Sequence, residues 1–203
     1  MADQMKVILV DDDRDVLKTL GMVFRSAGFE VATHQDAEEF LNALPGYSDA
    51  AVVLDLRMPH VSGLEVLSEL KRRQNSLPVI VYSSHADVEA TVKVFEDGAY
   101  TLVQKPASKN MLIEKVRQAI AQSREARKRQ VASQDAARRL ARLSPREREI
   151  AKYLADGKSA RLIGEAVHLS ARTVETHRQN IFSKAEVGSL AELSRLMTLA
   201  ELA

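Results

Sequence analysis

The stretch Ala51-Val52-Val53-Leu54-Asp55-Leu56-Arg57-Met58-Pro59 decides the fold. Four consecutive apolar residues read as a buried strand, and the Met58-Pro59 step bars the chain from running straight on as a helix. Asp55 then stands at a strand tip, where the cost of desolvating a carboxylate invites a cation. A lone acid in this position is more often a helix cap or a loop residue.

The other strand candidates bear on that choice. Lys6 to Val10 ends in Asp11-Asp12-Asp13, Pro78 to Ser84 ends in hydroxyls, and Thr101 to Pro106 ends in Gln104-Lys105-Pro106. Phe29 to His34 supplies a fifth strand. Helical spacing fills the intervals at Asp13–Ala27, Ala37–Leu44, Ser62–Gln74 and Asp87–Glu96. Strands alternating with helices predict an α/β fold: a doubly wound, five-stranded parallel sheet covered on both faces. Such sheets gather functional side chains at the carboxyl ends of their strands, so acids, hydroxyl and lysine converge on one crevice. Gly28, Gly63 and Gly98 fall at junctions and are read as turn chemistry.

With 203 residues the chain suits two small domains. No apolar run approaches a membrane span, and Met1-Ala2-Asp3-Gln4 has no signal-peptide character, so a cytoplasmic protein without membrane contact is expected. The absence of cysteine excludes disulfides and thiolate chemistry and leaves oxygen or imidazole to hold any ion. The net charge of +1 hides an asymmetry. Residues 1–120 carry 13 Lys and Arg against 18 Asp and Glu, a net −5; residues 121–203 carry 16 against 10, a net +6. A basic half suggests an anionic partner, most often nucleic acid.

Between Pro106 and Pro145 there is neither glycine nor proline. From Ala121 to Arg139 the one strong apolar residue is Val131, so the segment 121–142 reads as a helical linker with little to bury. Beyond it, Ser144, Pro145 and Glu147 form a capping box with proline at the first helical position. That helix should stop at Asp156-Gly157. Ser159 caps the next one, with Leu162, Ile163, Ala166 and Val167 as its apolar stripe. After the break His168-Leu169-Ser170, Ser170 caps a helix over Ala171–Lys184. Two short helices so joined predict a helix-turn-helix in an all-α second domain. Val174, Ile181 and His177 are spaced toward a core, while Arg172, Glu175, Thr176 and Gln179 share the opposite face. Thr176 and Gln179 suit base edges; Arg172, Arg178 and Lys184 suit phosphates.

These motifs together resemble a known family. Residues 5–120 are similar to the receiver domain of two-component response regulators, on the acidic pair Asp11-Asp12, Leu54-Asp55-Leu56-Arg57-Met58-Pro59, Val81-Tyr82-Ser83-Ser84 and Gln104-Lys105-Pro106. Residues 143–200 resemble the LuxR-type DNA-binding domain, on Leu143-Ser144-Pro145-Arg146-Glu147-Arg148-Glu149 and Arg172-Thr173-Val174-Glu175-Thr176-His177-Arg178. The pairing is that of the FixJ and NarL regulators. It implies a receiver over 1–120 with strand order 2-1-3-4-5, a linker over 121–142 and a DNA-binding domain over 143–203. It also implies that Asp55 accepts a phosphoryl group from a sensor histidine kinase, with Lys105 and Ser83 completing the site. Mg²⁺ would be held by Asp11, Asp12, Asp55 and the Arg57 carbonyl. DNA contacts would come from Arg172, Thr173, Glu175, Thr176, His177, Arg178, Gln179 and Lys184. A phosphorylation-dependent homodimer on promoter DNA is expected, with no enzymatic activity beyond self-phosphorylation and dephosphorylation at Asp55.

Three departures from the family pattern stand out. Leu102 occupies the position of the switch aromatic, three residues before Lys105; Tyr100 would share its strand face if pairing there is regular. His168 replaces a turn glycine, where a left-handed conformation would cost roughly 1 kcal/mol. Ala185-Glu186 replaces Leu-Gly after Lys184, so the end of the recognition helix is expected to differ. Two other readings are a DNA-binding transcription factor that no longer depends on phosphorylation and a small Mg²⁺-dependent phosphatase. The second leaves the basic half without a role.

Overall fold

The computed structural model describes residues 5–84 and 88–201 and divides the chain into two compact units, residues 1–125 and 126–203. In the first unit, strands β1 (Lys6–Val10), β2 (Glu30–His34), β3 (Ala50–Leu54), β4 (Val79–Ser83) and β5 (Thr101–Gln104) form one parallel sheet of order β2-β1-β3-β4-β5, as expected. Helices α1 (Arg14–Ser26), α2 (Ala37–Ala43), α3 (Gly63–Arg72) and α4 (Val88–Glu96) lie between the strands. The expected start of the fourth helix at Asp87 lies outside the described residues.

The apolar runs of β1 and β3 serve both sides of the sheet, because successive strand side chains point to opposite faces. Ile8, Val10, Val52 and Leu54 join a core with Phe40, Val66, Leu67, Leu70 and Val94 of α2, α3 and α4. Val7, Leu9, Ala51 and Val53 join a second core with Leu17 and Phe24 of α1 and Val116 and Ile120 of α5 (Lys109–Ala141). Local signals fix the helix starts: the Asp13 side chain accepts from the amides of Asp15 and Val16, and Ser62 and Glu65 close a capping box on α3.

The glycines divide by cause. Gly28 and Gly98 have φ of +88° and +89°, which is turn chemistry. Gly63 is needed for space: a Cβ there would lie 2.2 Å from the Asp55 carbonyl oxygen. Tyr100 precedes β5 and packs in the core opposite to that of Leu102, so it does not share Leu102's face. The Tyr100 amide still donates to the Val79 carbonyl at 2.8 Å, but the paired register of β4 and β5 starts at Thr101.

In the second unit, α6 (Pro145–Ala155), α7 (Ala160–Val167), α8 (Ala171–Ala185) and α9 (Leu190–Ala200) surround a core of Ile150, Leu154, Ile163, Val174, Ile181 and Leu193. The segment 121–142 read as a linker is helical up to Ala141, as the last part of α5. The boundary between units falls within it. Its buried residues are small: Ala136 and Ser133 are enclosed, Leu140 packs on the core of the second unit, and Val131 is 61% exposed. The stripe expected on α7 also shifts. Leu162 and Ala166 face solvent, while Ile163, Gly164 and Val167 are buried. The helix rolls inward on Gly164, where a Cβ would lie 2.5 Å from the Leu169 carbonyl oxygen.

Candidate functional site

Two backbone hydrogen bonds carry the strand ladders one rung past the strand ends. The Asp55 amide donates to the Val10 carbonyl at 2.9 Å, and the Asp11 amide donates to the His34 carbonyl at 3.2 Å. The acids that follow β1 and β3 are thereby set side by side. Carboxylate oxygens of Asp11, Asp12 and Asp55 lie within 4.8 Å of one another, with Asp11 and Asp55 buried and Asp12 half-buried. On the other flank the Lys105 amide donates to the Ser83 carbonyl, which places β5's lysine beside the tip of β4.

The Lys105 ammonium reaches across the sheet end and donates to Asp11 Oδ2 at 2.6 Å and Asp55 Oδ2 at 2.8 Å. Its peptide bond to Pro106 is cis. Burial pushes the Asp11 carboxyl above its usual range, against the hydrogen bonds from Lys105 and the Asp13 amide. Burial works against the Lys105 ammonium too, but its hydrogen bonds to Asp11 and Asp55 outweigh this and raise its pKa. Three carboxylates against one ammonium leave a negative excess that a divalent cation would offset, and an all-oxygen donor set suits a hard ion. The Arg57 amide donates to Asp55 Oδ1 at 3.3 Å, turning the following loop toward the same carboxylate.

Ser83 Oγ is buried, and among the described residues it has no hydrogen-bond partner. An orphaned hydroxyl is costly unless some state of the molecule supplies its partner. Sequence reasoning missed two supporting residues. The Gln35 side chain donates to the Asp12 carbonyl at 2.9 Å and accepts from Arg14 Nε at 2.8 Å, bracing the acidic loop from β2's side. The Lys105 ammonium also lies 5.3 Å from the centroid of the Tyr82 ring. Tertiary approach created both contacts, and neither had a local sequence signal.

In the second unit, Ser170 caps α8 and exposes Arg172, Glu175, Thr176 and Gln179 along one face, while Val174, Ile181 and Ala185 point inward. Thr173 Oγ1 pairs with the Ser170 hydroxyl and Thr176 Oγ1 donates to the Arg172 carbonyl, so both hydroxyls have local partners. His177 is half-buried, with its Nδ1 enclosed. Arg178 stacks over Phe182 at 5.4 Å. Lys184, read as a phosphate contact, places its ammonium 2.8 Å from both carboxylate oxygens of the buried Glu147. Glu147 also accepts from the Ser144 amide, so one carboxylate closes the α6 cap and fastens the end of α8. His168 takes the left-handed conformation, φ 55° and ψ 46°, as its turn position requires.

Residues 7–117 match the response regulator receiver domain and residues 141–197 match the bacterial regulatory proteins of the luxR family. The chain belongs to the response regulators. The transcriptional regulatory protein FixJ of Bradyrhizobium diazoefficiens is 38% identical over 196 residues, covering 97% of this chain and 96% of that protein. The tetrathionate response regulatory protein TtrR of Salmonella typhimurium is 34% identical, over 92% of this chain and 89% of its own length. Among solved structures, the response regulator StyR superposes with a TM-score of 0.81 at 30% identity, covering 96% of this chain and 98% of its own. Full-length FixJ from B. japonicum does so with a TM-score of 0.63 at 37% identity, covering 98% of both chains. This response regulator is thus a two-component transcriptional regulator that joins a receiver to a LuxR-type DNA-binding domain. Among the described residues no helix is long and apolar enough to cross a membrane.

Proposed function

We propose that Asp55 is the phosphoacceptor of this regulator, taking its phosphoryl group from a phosphohistidine on a sensor kinase. The observation that carries the reading is the lysine bridge: one ammonium held at 2.6 and 2.8 Å by two buried acids at adjacent strand tips. The Asp55 carboxylate attacks phosphorus in line with the departing imidazole, forming an acyl phosphate. Asp11, Asp12, Asp55 and the Arg57 carbonyl would hold Mg²⁺, which when bound neutralises charge on the transferring group. Lys105 exchanges one carboxylate contact for a phosphoryl oxygen. Ser83 then donates its hydroxyl to another, gaining the partner it lacks. Loss of that orphan's cost favours the arrangement in which the loop after β4 has drawn in.

Dimerisation through α4 is the expected consequence. Val88, Val92 and Phe95 lie on that helix at 82%, 52% and 50% exposure, an apolar stripe at helical spacing. Two copies would present two α8 helices to half-sites about one helical turn apart on promoter DNA. Glu175, Thr176 and Gln179 would read bases, with Arg172 and Arg178 nearer the phosphates. The protein acts in the cytoplasm and turns over no substrate besides its own phosphoryl group. Leu102 favours the second reading, a transcription factor indifferent to phosphorylation, because an aliphatic side chain lacks the ring that couples with Ser83 in the family pattern. Electrophoresis on a phosphate-binding gel after treatment with acetyl phosphate and Mg²⁺ separates the two. A shifted band in wild type that is absent in Asp55→Asn supports phosphoacceptance; an unshifted wild type sinks it.

A further inference from the structure

The replacement of Leu-Gly by Ala185-Glu186 has a physical counterpart. Glu186 caps α8 in the left-handed conformation, φ 54° and ψ 50°, where glycine would be unstrained and glutamate is not. What holds it there is the end of α5. Arg139 Nε donates to the Ala185 carbonyl at 2.8 Å, and Arg139 Nη2 donates to the carbonyls of both Ala185 and Glu186. Arg142, just past the helix, pairs with the Glu186 carboxylate and holds that carboxyl below its usual range. These are the last carbonyls of the recognition helix, otherwise without intrahelical donors, and cations are favoured at that end of a helix. Lys184 ties the same turn to Glu147 on α6 from another side.

We infer that Arg139 and Arg142 are positioning residues for DNA recognition: through Ala185 and Glu186 they fix the end of α8 and so the angle at which its exposed face meets base edges. The last turn of α5 then belongs functionally to the DNA-binding unit, and Glu186 is retained despite its strained backbone because its carboxylate is the handle.

The sign of the electrostatics makes this testable. Glu186→Gly removes backbone strain and a negative charge, and it releases the Arg142 guanidinium. Without a positioning role, the variant would be at least as stable and would bind any DNA as tightly or more tightly. With one, its affinity for a duplex selected by the wild-type full chain falls roughly threefold to tenfold relative to a scrambled duplex, which is ~0.7–1.4 kcal/mol. Arg142→Glu should lower the same ratio, and the double swap Arg142→Glu/Glu186→Arg should restore most of it. A Glu186→Gly ratio within about twofold of wild type overturns the inference, and so does a double swap that discriminates no better than either single variant.

Discussion

Gly63→Ala is the sharpest test of how the acidic site is held. The added Cβ would lie 2.2 Å from the Asp55 carbonyl oxygen and 2.7 Å from Leu56 Cα, where ordinary contact begins at 3.4 Å. One backbone must therefore retreat by about 1.2 Å, the difference between 3.4 and 2.2 Å. Neither segment is free to do so: the Asp55 amide is bonded to Val10, and the Gly63 amide is bonded to the Leu56 carbonyl at 2.9 Å. Overpacking costs about 1–3 kcal/mol, and loosening a buried backbone hydrogen bond costs a similar amount. Together they predict a loss of about 2–6 kcal/mol, a large share of a small domain's ~5–15 kcal/mol. Gly46→Ala is the matched control, since nothing lies within 4 Å of a Cβ there and φ is not positive. It should be neutral or stabilising by up to ~1 kcal/mol. Urea titrations followed by tyrosine fluorescence report mainly the receiver, because Tyr47, Tyr82 and Tyr100 lie in it and only Tyr153 lies outside. Equal midpoints for Gly63→Ala and Gly46→Ala would refute the close-approach argument.

Ser83→Ala should leave the unphosphorylated protein as stable as wild type or up to ~2 kcal/mol more so, since it deletes an orphaned hydroxyl. The same variant should gain little DNA affinity on acetyl phosphate treatment; a full wild-type gain would show that Ser83 is not the reporter. Lys184→Met strands a buried carboxylate and should cost about 1–3 kcal/mol at pH 7 by chemical denaturation. The Lys184 hydrogen bonds, with help from the Ser144 amide, hold the Glu147 carboxyl below its unfolded value of 4.5. The stability this carboxylate contributes is therefore complete above that value and lost as pH falls through it toward the lower folded value. The gap between wild type and Lys184→Met should narrow across the same window, and a gap that stays constant down to acid unfolding would dissociate the pair from stability. Gln35→Leu should weaken the Mg²⁺ dependence of phosphorylation by acetyl phosphate several-fold with little change in urea midpoint, by releasing Asp12 and Arg14. Unchanged Mg²⁺ dependence would reduce Gln35 to a surface contact.

The sheet was legible because β1 and β3 are buried on both faces, so their composition is apolar without interruption and each ends abruptly in acid; its order came from the family resemblance. The convergence of Asp11, Asp12, Asp55 and Lys105 followed from parallel topology alone. The packing of small residues was not legible. Ala136 and Gly164 bury faces that hydrophobicity assigns to Val131 and Leu162, because close approach rewards the absence of side chain and apolar periodicity does not register it. The partner of Lys184 was not legible either, because the buried acid it reaches, Glu147, lies 37 residues away in the chain. Leu102 and Tyr100 show the limit of parity arguments, since a strand's alternation holds only where its ladder begins.

The two rungs that run past the strand ends have a kinetic meaning. The amides of Asp11 and Asp55 are bonded to the sheet like any interior residue, so they should exchange with deuterium only when the whole receiver opens. Asp55 is then among the most firmly anchored points of the domain. A displacement of Ser83 is registered against a fixed mark.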